Sequence, residues 1–192
     1  PGVTTDQLYE TVMSKRHLRY IKKPHFDLAL QALWRDHRYN EVKYLIRYLK
    51  KWQLSVPQEY YAALSSNCAR LGTVQRALAY ISNMQKEHPD YPVTADMYDG
   101  HFAFWSSKGK LGKAKRYFEE MKKKGASPAA SNYFEMLVGY SKFPKANKDE
   151  IDIIRKEMEE ANISFTPEHA QMVVEALTLA GFTDFSASDF SQ

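Results

Sequence analysis

The side chains able to do chemistry are scattered in this sequence. His17, His25, His37, His88, His101 and His169 never fall at metal-ligand spacing. Cys68 is the single cysteine, so neither an intramolecular disulfide nor a cysteine-based zinc site can form. No HExxH, no phosphate-binding P-loop and no GxSxG elbow occurs. Asp96 and Asp99 would share a helix face, where paired carboxylates can move protons, but they read more simply as surface residues. These patterns argue against an enzyme, and they imply no metal, no cofactor and no small-molecule substrate.

The cations are organised instead. Lys15, Arg16, Arg19, Lys22 and Lys23 lie close together, as do Lys110, Lys113, Lys115, Arg116, Lys122, Lys123 and Lys124. Such clusters suit docking on phosphates without reading a sequence. The net charge of +4 conceals a polarity. Residues 1–124 hold 22 Lys and Arg against 12 Asp and Glu, whereas residues 125–192 hold 5 against 11. After Lys156 there is no cation at all, while Glu157, Glu159, Glu160, Glu168, Glu175, Asp184 and Asp189 accumulate. One basic and one acidic end suggest two different neighbours, or head-to-tail contacts.

The elements that must position these residues repeat. Tyr61, Tyr98 and Tyr133 each open a similar stretch, and Phe26 takes the tyrosine's place one step earlier. The aromatics are spaced 35, 37 and 35 residues apart. Four units follow, 24–58, 59–95, 96–130 and 131–167, with a partial fifth at 168–181. A basic extension (1–23) precedes them and a Ser/Asp/Phe tail (182–192) follows. Each unit reads as two helices. In the third, Met97, Phe102 and Trp105 supply the first helix, and Gly109 ends it, since glycine alone turns left-handed without steric cost. Leu111, Ala114, Phe118 and Met121 then make one apolar stripe. Ala77 and Ala114 sit mid-helix, where a close neighbour favours a small side chain. A unit this short buries too little surface alone, but stacked units share a core. The expected fold is all-α, an α-solenoid of stacked helix-turn-helix repeats.

Composition is compatible with that. The chain has 192 residues, 44% of them hydrophobic and 26% charged, which is ordinary for one globular domain or repeat array. No apolar run approaches the roughly 20 residues of a membrane span. Pro1 in place of Met points to a processed or truncated start, with which any targeting peptide would have gone.

A 35-residue helix pair with glycine at its turn, Phe118-Glu-Glu-Met121 near the end of the second helix and Lys124-Gly-Ala-Ser-Pro128 closing the unit resembles the pentatricopeptide repeat. The resemblance covers roughly residues 24–181 and is strongest over 96–130. It implies single-stranded RNA binding in mitochondria or, alternatively, chloroplasts, with the first helices lining a concave face and the second a convex one. It also implies one base reader just after each opening aromatic, at Asp27, Ala62, Asp99, Phe134 and Gln171, and partners near Pro57, Ala129 and Thr166. The family prefers Thr, Asn or Ser at the first place and Asp or Asn at the second, so the reading pairs look lost. Four repeats would in any case specify about four bases, a word recurring every ~256 nucleotides.

A cation near the end of the first helix, which in the family meets the backbone, survives as Arg35, Arg70 and Lys142, with Lys108 one residue out of step. Such a ladder would give a salt slope near −0.7 per phosphate. The recurring aromatics Phe26, Tyr61, Tyr98 and Tyr133 are expected to pack between helices rather than stack bases. Phe182, Phe185 and Phe190 of the tail either fold back over the open last repeat or insert into a partner protein. The expected role is thus a non-catalytic component of an organellar ribonucleoprotein, a mitochondrial ribosome or its assembly and translation machinery foremost. An organellar protein–protein adaptor is the alternative, and a fragment of a longer sequence-specific RNA-binding protein a third reading.

Overall fold

A computed structural model describes residues 3–14, 22–36, 38–54, 56–57 and 59–191, apart from the side chains of Trp34, Glu59 and Ala63. All regular structure among them is helical, and the chain divides into two compact units, residues 1–60 and 61–192. No helix among the described residues is long and apolar enough to cross a membrane.

The first unit contains α1 (Thr5–Met13), α2 (Lys23–Arg35) and α3 (Tyr39–Lys51). Thr4 starts α1 through a capping box: its hydroxyl accepts from the Gln7 N–H, and the Gln7 side chain accepts from the Thr4 N–H. α2 packs on both α1 and α3. Phe26, Leu30 and Leu33 from α2 and Val42, Leu45, Ile46 and Leu49 from α3 are buried, at the three- and four-residue spacings that make one apolar face. Arg38 ties this unit together from its surface, pairing with Asp6 and with Glu41.

The second unit takes in most of α4 (Glu59–Arg70), then α5 (Val74–Glu87), α6 (Asp99–Ser107), α7 (Leu111–Lys123), α8 (Ala130–Ser141), α9 (Lys148–Glu160) and α10 (Pro167–Leu179). α6 packs on α8 and α8 on α10, while α7 returns onto α6 and α9 onto α8. The apolar stripe of α7 points inward as its spacing requires, with Leu111, Ala114, Phe118 and Met121 all buried. Phe118 lies 4.6 Å from the Phe102 ring and 5.1 Å from Tyr133, centroid to centroid, linking three helices. Tyr61, Tyr98 and Tyr133 are buried, as is Phe26 in the first unit, so these rings serve packing and offer no face to a base.

Two backbone features fix the helix–helix geometry. Gly72, Gly109 and Gly181 follow α4, α6 and α10 with positive φ, and at Gly109 a Cβ would also meet the Phe143 ring at 2.4 Å. Gly100 and Gly139 allow backbone to approach backbone. A Cβ on Gly100 would lie 1.7 Å from the Ser66 carbonyl oxygen of α4, and one on Gly139 2.8 Å from that of Ala103 in α6. The backbones of α4, α6 and α8 therefore touch almost directly, and only glycine fits at those points.

The tail turns back on the second unit. A short 3-10 turn at Ala187–Asp189 packs on α10, and the Phe165 N–H donates to the Phe190 carbonyl. Phe190 and Phe185 are buried, with Phe190 stacked on Phe165, and Phe182 is half-buried. Lys148 anchors the strap by pairing with Asp184 and resting over the Phe185 ring. Of the two fates open to these phenylalanines, the fold takes the first, because α10 leaves an apolar face that the tail is long enough to reach.

Candidate nucleic-acid interface

The expected cations separate into those the protein uses internally and those it leaves free. Lys15, Arg16 and Arg19 lie outside the described residues. Lys22 is exposed just ahead of α2, and Lys23 pairs with Asp27 one turn on, at 3.4 Å. Arg35 closes α2 and pairs with the adjacent Asp36. Arg70 reaches across to α8, where its guanidinium grips both carboxylate oxygens of Glu135. Lys115 of α7 pairs with Glu157 of α9, Lys122 with Glu119, and Lys124 donates to the Gln85 amide.

Lys108, Lys110, Lys113, Arg116, Lys123 and Lys142 have no ion pair among the described residues, and all are exposed. Five of these six surround α7. Lys108 and Lys110 flank its entry turn, Lys113 and Arg116 lie along its outer face, and Lys123 ends it. The first turn of α7 carries no acid and its N-cap, Lys110, makes no side-chain cap bond. Cations at a helix N-terminus have the wrong sign for the macrodipole, at a cost of about 0.3–1 kcal/mol each when exposed. Helix stability therefore does not explain Lys110 and Lys113, whereas Lys108 closes α6 and Lys123 ends α7, where the dipole favours a cation.

The proposed base-reader places have other occupations. Ala62 is buried, and Phe134 packs edge-on to Phe165 and beside His169. Gln171 donates to Glu175, and Asp27 holds Lys23. Thr166, one of the closing places, caps α10 by accepting from the His169 N–H.

Asp99 is the exception to the surface reading of the carboxylates. Asp96 is exposed, but Asp99 is half-buried and accepts from the Asn132 amide at 2.7 Å. Burial pushes its carboxyl up to about 7, reinforced by the neighbouring charges of Glu135 and Asp96 and opposed by hydrogen bonds from Ser131 and Asn132. Nearby His101 is fully buried against Tyr98 and Tyr117, and desolvation lowers it to about 4. Asn132 itself is saturated, donating also to the Ala95 carbonyl and accepting from the Ala129 N–H. A polar knot between α6 and α8 thus occupies the base-reader place at Asp99. Local spacing carries no sign of it, because Asp99 lies on α6 while Ser131, Asn132 and Glu135 lie on α8.

No group of His, Cys, Asp and Glu among the described residues is arranged to hold a metal ion. No protein-family model and no curated protein matches this chain.

Proposed function

We propose that this chain is a non-catalytic, pentatricopeptide-like α-solenoid that docks on structured RNA inside an organellar ribonucleoprotein, a mitochondrial ribosome or its assembly and translation machinery. The observation that carries the reading is the cluster of unpaired cations around α7. Arg70, Lys115 and Lys122 pair internally. Lys108, Lys110, Lys113, Arg116 and Lys123 are left for an external polyanion. Phosphate contacts of this kind hold an RNA by shape and charge, which agrees with base-reader places occupied by Ala62, Phe134 and the Asp99 knot.

The acidic end supplies a protein contact in the same complex. On α10, Met172 and Leu179 are exposed, Leu179 at 90%, beside Glu168 and Glu175. That apolar and acidic face is also what favours the second reading, an adaptor between organellar proteins. Affinity capture of the tagged chain from mitochondrial lysate, with and without nuclease, followed by gradient sedimentation, separates the two. Co-sedimentation with a ribosomal subunit that nuclease and high salt weaken is expected. A stable protein complex free of RNA and indifferent to nuclease would overturn the RNA reading in favour of the adaptor. Chloroplast lysate is the parallel arm.

A further inference from the structure

Beside the cationic face of α7 lies a hollow of about 300 Å³ lined by Trp105, Lys113, Arg116, Tyr117 and Glu120. Its floor is the Trp105 indole at the end of α6. Lys113 Nζ stands 4.6 Å from the ring centroid and Lys110 Nζ 5.8 Å, both on exposed side chains. Phe104 abuts the indole edge-on at 4.9 Å, which holds the ring in place.

We propose that this hollow receives one unpaired nucleotide of an RNA, its base stacked on Trp105 and its flanking phosphates held by Lys110, Lys113 and Arg116. The proposal rests on the RNA reading above and identifies the place where that RNA presents a looped-out base. Three features converge on it. The volume is at the small end for a ligand pocket, the size of a single base with its sugar rather than a longer segment. An aromatic ring such as the indole stacks a base with about 1–3 kcal/mol, and that stacking tolerates any base identity. The two ammonium groups that rest on the ring in the free protein are displaced by the base, and their stems are long enough to follow the phosphates on either side. Glu120 is the one acidic group in the lining. It repels a phosphate from that wall and accepts from an exocyclic amino group, which orients the nucleotide with its base edge toward Glu120 and its backbone toward the cations. A rigid duplex has no unstacked base to offer, so the site distinguishes a bulge or loop from a continuous helix.

The test uses the full chain labelled with 5-fluorotryptophan, whose Trp105 fluorine resonance is assigned with Trp105→Phe. Two RNA hairpins are titrated, one fully paired and one identical except for a single bulged cytidine. Both are expected to bind through phosphates, the bulged one about tenfold more tightly, and only the bulged one to shift the Trp105 resonance. Trp105→Ala should abolish the preference while leaving affinity for the paired hairpin. Lys113→Gln, which spares the packing of the ring, should weaken both. Equal binding of the two hairpins with an unmoved Trp105 resonance would overturn the nucleotide site and leave the RNA reading standing. Binding of neither hairpin would overturn both.

Discussion

Replacing Asp99 by Asn should make the protein more stable at neutral and alkaline pH and nearly unchanged at pH 4. The carboxyl is raised from an ordinary 3.8 to about 7 because it is half-buried beside Glu135 and Asp96. The folded state therefore keeps a proton that the unfolded chain releases, and stability is lost as pH rises from about 4 through 7. That displacement corresponds to at most about 4 kcal/mol. Asn keeps the acceptor that Asn132 uses, and the Ser131 hydroxyl can turn to accept from the new amide. His101 works in the opposite direction. Its lowering from 6.5 to about 4 means that the unfolded chain binds the extra proton, so its contribution is present above 6.5 and lost as pH falls through 4. Between pH 4 and 6.5 the two contributions offset each other in the parent, whose stability should be nearly level there and decline above 6.5. In Asp99→Asn the opposing contribution is gone, so the His101 contribution should raise stability by about 3 kcal/mol between pH 4 and 6.5 and then level off. Urea unfolding followed by circular dichroism at half-unit pH steps from 4 to 9 measures both profiles. Parallel profiles for parent and variant, or a variant less stable at pH 8, would refute the assignment of Asp99 as a desolvated carboxyl.

Two further predictions address the packing that positions the cations. Gly100→Ala should destabilise the second unit by about 3 kcal/mol or more, because its methyl meets the rigid Ser66 carbonyl, whereas Gly112→Ala in the open first turn of α7 should stabilise it by about 0.5–1 kcal/mol; chemical denaturation of both variants checks the contrast. Phe190→Ala should cost about 3–5 kcal/mol in the same assay, since Phe190 is 2% exposed and stacked on Phe165, and an unchanged midpoint would mean that the tail is not part of the folded unit.

The helices and their buried faces were legible because they depend on local spacing. Leu111, Ala114, Phe118 and Met121 recur every three or four residues, and all four are buried. Gly109 could be placed at a turn from its neighbours alone, and its φ is +66°. Ala77 and Ala114 were marked by size, and both are fully buried. What sequence spacing could not show was pairing between helices. Lys115 and Glu157 are 42 residues apart, Arg70 and Glu135 65 apart, so nothing in either neighbourhood separates a used cation from a free one. The same holds for Asp99 and Asn132, and for Gly100, whose role appears only once Ser66 is packed against it. The Trp105 hollow escaped for a related reason: its floor belongs to α6 and its walls to α7, and Trp105 had been assigned to helix packing.

The most direct test of the central claim is the salt dependence of RNA binding by two charge-neutralised variants. One replaces the unpaired Lys110, Lys113 and Arg116 by Gln; the other replaces the internally paired Lys115 and Lys122 by Gln. Affinity for a structured organellar RNA is measured by fluorescence anisotropy between 50 and 300 mM salt (about a sixfold range in the squared Debye length). The account predicts that the first variant loses affinity and flattens the slope of log K against log salt by about 0.7–0.9 for each phosphate contact removed, while the second keeps the parent slope. Equal slopes for the parent and both variants would contradict it.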